Sequence, residues 1–183
     1  MTKRIFAIVA LMVGTLTTIS AQEINWMSFD EALAAQKKNP KKIFVDVYTN
    51  WCGPCKYLDK TTFKNKDLVE YMNKNFYAVK FNAEGNDVVN YKGQKFENQG
   101  YDASKAQTRN SQHSFAGYLQ VNAYPTMIFF DDNGEYILPV QGGMSATQLE
   151  IFLKLVANND YKNIKTRADF QEYQSNFKGT FKE

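Results

Sequence analysis

One stretch, residues 43–55, constrains this chain more than any other. Ile43-Phe44-Val45-Asp46-Val47-Tyr48 is β-branched and aromatic, the composition of a strand buried on both faces. Cys52-Gly53-Pro54-Cys55 follows almost at once, and the residues from Cys52 to about Thr61 read as a helix. A second helix is expected from Asp67 to about Asn75, with Asp67 and Glu70 near its start. Phe76 to Asn82 then alternates apolar residues with Lys80 and Asn82, which completes a β-α-β unit. A helical crossover between two strands implies that they pair in parallel, so the fold class is α/β.

The two cysteines are the only ones in the chain. A bridge between them closes almost no loop, so its contribution to stability through chain entropy is small. The pair reads better as chemistry than as a staple. A thiolate at the start of a helix faces unpaired N–H groups and the positive end of the macrodipole, which lowers its pKa below the free value of about 8.5. A second thiol one turn along can attack a mixed disulfide and release the partner. Cys52, nearer the exposed end, is expected to be the nucleophile and Cys55 the resolving thiol. Pro54 favours the first helical turn. A zinc site needs about four ligands, and His113 is the one histidine available, so no metal is expected.

Around this centre the chain organises as one domain with additions. Lys3 and Arg4, the apolar run Ile5–Val13 and the small residues ending at Ala21 form the three-part pattern of a secretory signal peptide, placed at residues 1–21. Its removal would leave 162 residues and lower the formal charge from +3 to +1, since it carries Lys3 and Arg4 and no acid. That balance offers nothing to a polyanion, so no nucleic-acid partner is expected. Ser28 and Glu31 form a capping box for a helix that Asn39-Pro40 stops. Residues 84–111 are rich in Asn, Gln, Lys and Gly with no period, and read as an inserted loop with a short helix near Asp102–Thr108. Met127–Phe130, the turn Asp131-Asp132-Asn133-Gly134 and Glu135–Val140 read as a hairpin, followed by a helix from Ser145 to Val156. Thr166–Phe177 reads as an appended amphipathic helix, within a C-terminal extension at 161–183 that follows a core domain at 22–160. His113 has no partner at a recognisable spacing and is expected on the solvated surface.

Val45-Asp46-Val47-Tyr48-Thr49-Asn50-Trp51-Cys52-Gly53-Pro54-Cys55-Lys56 resembles the active-site segment of the thioredoxin family. The resemblance runs from about Lys41 to Val156, broken by the insertion. Tyr124-Pro125-Thr126 is similar to the family's cis-proline loop, and Gly143 with the helix after it to its C-terminal glycine and helix. The signal peptide and the insertion resemble the exported bacterial members more than the compact cytosolic form. Tyr48 stands where many members carry a second tryptophan. The resemblance implies a thioredoxin fold: a central mixed sheet flanked by helices, here with the insertion before the cis-proline loop and the appended C-terminal helix.

It also implies roles. Asp46 matches the buried acid that relays a proton to or from the resolving cysteine, and a carboxylate in that apolar run should have a raised pKa. Lys80 matches the basic partner of that acid. Pro125 should be cis, placing the backbone of Tyr124 where it can pair with an extended substrate strand, and Trp51 should shield the rim. Gly53, Pro54 and Gly143 complete the expected substrate-binding surface. The implied protein is a monomeric periplasmic thiol-disulfide oxidoreductase without cofactor, acting on disulfide-containing proteins. The Gly-Pro pair between the cysteines is the form found in reducing members, and a reductant in an oxidising compartment implies a membrane thiol-electron donor. A disulfide oxidase or isomerase, and a non-catalytic protein-binding module with idle cysteines, are the alternatives.

Overall fold

The computed structural model describes residues 23–183; the expected signal peptide lies outside them. In chain order come Trp26–Met27 (β1), Phe29–Lys38 (α1), Lys42–Tyr48 (β2), Gly53–Lys60 (α2), Lys66–Asn75 (α3) and Phe76–Asn82 (β3). Val89–Tyr91 (β4), Gln94–Phe96 (β5) and Ser114–Tyr118 (α4) follow. Thr126–Phe130 (β6), Tyr136–Gln141 (β7), Ala146–Ala157 (α5) and Arg167–Asn176 (α6) complete the chain.

Five strands form one mixed sheet in the order β1-β3-β2-β6-β7. β2 lies parallel to β3, as the β-α-β reading requires, and antiparallel to β6. The pleat sends alternate residues of β2 to opposite faces. Val45 and Val47 pack with Phe29, Phe81, Phe115 and Phe130 under α1 and α4, while Phe44 packs with Leu58, Leu68, Met72, Leu149 and Leu153 under α2, α3 and α5. Each large apolar side chain buried in this way stabilises the fold by about 1.5–3 kcal/mol. The hairpin of β6 and β7 turns at Asp131–Gly134, where the Asp131 carboxylate accepts the N–H groups of Asn133 and Glu135 at 2.8 Å each. Gly134 there takes a φ of +77°.

The segment at 84–111 is packed, not structureless. β4 and β5 pair antiparallel around Lys92 and Gly93, whose φ values of 51° and 75° are those of a two-residue hairpin turn. Val89, Tyr91 and Phe96 are buried against Phe115 and Phe130, and the Tyr91 hydroxyl donates to the Gly134 carbonyl at 2.8 Å. Strands of three residues are too short to show a period, which is why composition alone pointed to a loop. In place of the helix expected near Asp102–Thr108 there is a single 3-10 turn over Ala103–Lys105.

His113 corrects the surface expectation, because its side chain is fully buried. Its Nδ1 accepts the Phe115 N–H at 3.0 Å, capping α4, and its Nε2 lies 2.6 Å from the Asp87 carbonyl. One nitrogen must accept and the other donate, so the ring is the neutral Nε2–H tautomer. With both nitrogens satisfied, burial leaves no polar atom unpaired, and the histidine serves the fold.

The appended helix stacks Phe170 on Phe152 of α5, with ring centroids 5.7 Å apart. Beyond it, residues 177–183 run back as a strap. The fully buried Glu150 of α5 accepts the N–H groups of Thr180 at 2.7 Å and Phe181 at 3.0 Å, and pairs with Lys154 at 2.6 Å. Burial alone would raise the pKa of Glu150, but the Lys154 contact and those N–H groups overcome it and hold the carboxyl below 4.5. A depressed carboxylate contributes stability that is complete above its unfolded value and is lost as pH falls through its folded one. A Glu150→Ala variant is expected to lose about 1–2 kcal/mol and to release the strap. Native-state hydrogen exchange would read faster exchange at Thr180 and Phe181; unchanged protection there would refute this role for Glu150.

Candidate active site

Cys52 is the N-cap of α2, and its Sγ accepts the Cys55 N–H at 3.1 Å. The loop that brings it there is closed by the Cys52 N–H, which donates to the Thr49 carbonyl at 3.2 Å. The two sulfurs are bonded at 2.11 Å. Both cysteines are buried, with 2% and 1% of their surfaces exposed, so exposure does not distinguish the nucleophile as the sequence reading expected. What distinguishes them is position: Cys52 caps the helix while Cys55 lies inside its first turn. Gly53 and Pro54 between them are exposed.

The helical face that carries Cys55 also carries Asp59 one turn further on. Asp46 of β2 is in direct register with Lys80 of β3, so both side chains emerge on the same side of the sheet. Lys80 Nζ lies 2.5 Å from Asp46 Oδ2 and also pairs with Asp59, while the rings of Trp26, Tyr48 and Phe63 surround it at 5.0–5.1 Å. Asp46 is completely buried, and its Oδ1 has no hydrogen-bond partner among the described residues. Burial raises its pKa, and the opposing attraction of Lys80 does not cancel that effect. Burial works against the Lys80 ammonium too, yet Asp46 and Asp59 together hold its pKa above the ordinary lysine value. Asp59 was not among the residues picked out from the sequence; the one signal for it is its spacing of four from Cys55.

The Tyr124–Pro125 bond is cis. Pro125 is buried at the start of β6, and its carbonyl accepts the Gly142 N–H at 2.9 Å, tying this loop to the end of β7. Gly143 faces Pro54, since a Cβ placed there would meet Pro54 Cβ at 3.8 Å. The Trp51 ring packs edge-on to Tyr124 with centroids 5.9 Å apart, and its Nε1 donates to Glu84 Oε2 at 2.7 Å. Trp51 thus joins the loop before Cys52 to Tyr124, Gly143 faces Pro54 between the two cysteines, and Lys80 links Asp46 to Asp59 of α2.

The insertion reaches this rim. Glu84 Oε2 also accepts the Asn110 N–H at 2.8 Å, and Asn50 Nδ2 donates to the Ala106 carbonyl at 2.6 Å. The guanidinium of the exposed Arg109 lies 4.2 Å above the Trp51 ring. Sequence reasoning missed Glu84 and Arg109, because nothing in a polar segment announces which residue returns to a distant tryptophan.

Residues 29–157 match the model of the thioredoxin-like domain family. Chloroplastic thioredoxin Y of Oryza sativa subsp. japonica is 27% identical over 136 residues, covering 74% of this chain and 61% of that protein. The thiol:disulfide interchange protein DsbD of Pectobacterium atrosepticum is 25% identical over 123 residues, covering 66% of this chain and 17% of that protein. The chain therefore spans under two thirds of either relative. The solution structure of a candidate disulphide-isomerase from Bacteroides thetaiotaomicron is similar, with a TM-score of 0.52 and 30% identity over 74% of this chain and 94% of that one.

Proposed function

The chain belongs to the thioredoxin-like domain family, and from that membership we propose that it exchanges disulfides with exported proteins in the periplasm, as a reductant. The observation that carries this reading is the Cys52–Cys55 disulfide at the first turn of α2, with the buried Asp46 linked through Lys80 to Asp59 of the same helix.

In the reducing direction the Cys52 thiolate attacks one sulfur of the substrate disulfide. A mixed disulfide forms, and the other substrate sulfur leaves as a thiolate. Cys55 then gives its proton to Asp46 and attacks Cys52 Sγ. The second substrate thiolate leaves, the Cys52–Cys55 disulfide forms, and two electrons have passed to the substrate. Asp46 suits the middle step because a raised pKa makes it a better base than an ordinary carboxylate. Lys80 and Asp59 hold that carboxylate in place and lead from it towards solvent. The backbone of Tyr124 and the surface of Trp51, Gly53, Pro54, Pro125 and Gly143 would receive an extended substrate segment. A membrane thiol-electron donor would restore the reduced pair.

The direction is decided by the reduction potential, measured by equilibration against glutathione of known ratio. A value near −270 mV is expected for a reductant, and one near −120 mV would make the protein an oxidase. A second reading, isomerisation of incorrect disulfides, is supported by the likeness to the candidate disulphide-isomerase. Isomerisation would appear as reactivation of a scrambled, disulfide-bonded substrate without net loss of its disulfides.

A further inference from the structure

Resting on the exchange reaction proposed above, we propose that Arg109 forms a subsite for a carboxylate on the partner segment, so that this chain favours disulfides with an acidic residue beside the reacting cysteine. Three observations lead there. First, the arginine is held at a fixed place relative to the cysteines. Asn50 binds the Ala106 carbonyl at 2.6 Å, and Glu84 joins Trp51 Nε1 to the Asn110 N–H, so residues on both sides of Arg109 are tied to the loop preceding Cys52.

Second, the guanidinium lies over the Trp51 ring at 4.2 Å and is exposed. Stacking on an aromatic ring engages the face of the guanidinium and leaves its N–H fork free at the edges, where it matches a carboxylate in a bidentate way. Third, no carboxylate among the described residues forms an ion pair with it. The neighbouring Glu84 has one oxygen committed to Trp51 and Asn110, and Lys105 close by is paired with Asp102 at 3.5 Å. The same Trp51 ring packs nearly perpendicular to Tyr124, the residue before cis-Pro125. Arg109 and Tyr124 therefore both meet Trp51, the residue next to Cys52, which brings the guanidinium to the neighbourhood of the disulfide and of the cis-proline loop.

The test uses the full reduced chain and three capped peptide disulfides that differ only in the residue flanking the cysteine, which is Glu, Gln or Lys. Second-order rate constants are read by acid quench and alkylation of free thiols. The expected order is Glu over Gln over Lys, by about threefold to tenfold per step at low salt, narrowing as salt is added. Arg109→Glu is expected to reverse the order and Arg109→Gln to flatten it; ratios between peptides cancel any general loss in a variant. An unchanged order in Arg109→Glu, or equal rates for all three peptides in the parent chain, would overturn the subsite while leaving the exchange reaction standing. Failure to reduce any of the three would overturn the exchange reading and the subsite with it.

Discussion

A Cys55→Ala variant is expected to stop at the mixed disulfide and to lose turnover by about a thousandfold or more, while remaining covalently attached to its substrates. The first attack needs only the Cys52 thiolate at the start of α2, so the substrate is captured. The second attack needs a thiol on the same turn, and Cys55 is the one residue placed to supply it. Losing one member of a catalytic pair removes most of the rate, because the remaining groups act only through it. Non-reducing electrophoresis should show the trapped species in Cys55→Ala, and nothing in Cys52→Ala. Trapping in Cys52→Ala instead would invert the two roles, a pointed test since the cysteines differ by one percentage point in exposure. A Cys52→Ala/Cys55→Ala double variant that keeps full activity would replace the exchange reading with a binding one.

Asp46→Asn is expected to make the folded protein more stable at neutral pH and less competent in exchange. The carboxylate is wholly buried with one oxygen unpaired, and its pKa is raised despite Lys80. The folded state therefore binds the Asp46 proton more tightly than the unfolded state does, so this group subtracts stability as pH climbs above its unfolded value near 3.8. An uncharged side chain of the same shape escapes that penalty, and Lys80 keeps Asp59 as a partner. The gain should be about 1–3 kcal/mol at pH 7 and should shrink as pH falls towards and below the unfolded value, where the unfolded carboxyl also takes up its proton. Resolution of the mixed disulfide should slow by about a hundredfold, the usual worth of a positioned general base. Tm measured against pH checks the first expectation and rapid-quench kinetics the second; a variant less stable at pH 7 would mean that the pairing with Lys80 outweighs burial.

The sheet and its redox centre were legible because they are written locally. β2 is a run of large apolar residues, α1 and α5 begin with capping boxes, and Cys52-Gly53-Pro54-Cys55 states its own helix start. Asp46 could be singled out because a carboxylate in that run has to be explained. What escaped is held by pairings across long stretches of chain. Val89, Tyr91 and Phe96 are buried only because Phe115 and Phe130 lie opposite them. His113 is buried only because the Asp87 carbonyl receives its Nε2–H. Glu150 looks like a surface residue of an amphipathic helix until the backbone of Thr180 and Phe181 comes back to it. Arg109 gains its place from Trp51, a residue 58 positions earlier in the chain.

The insertion leaves the sheet at Ala83 and returns at His113, where the His113 N–H donates to the Ala83 carbonyl at 2.7 Å. Just inside that closure, Asn98 spans the carbonyls of Gly85 and Ser111 at 2.9 and 2.8 Å. Entry and exit are thus a single doorway, and beyond it the sheet meets the insertion through the β4–β5 hairpin, whose Tyr91 packs on Phe130. Residues 99–105 could lengthen, shorten or change charge without moving β2, α2 or the cis-proline loop, provided the β4–β5 hairpin stays to cover Phe115 and Ala106 and Asn110 keep their hold on Asn50 and Glu84. That outer stretch can therefore vary on its own, with the Cys52–Cys55 pair behind it unmoved.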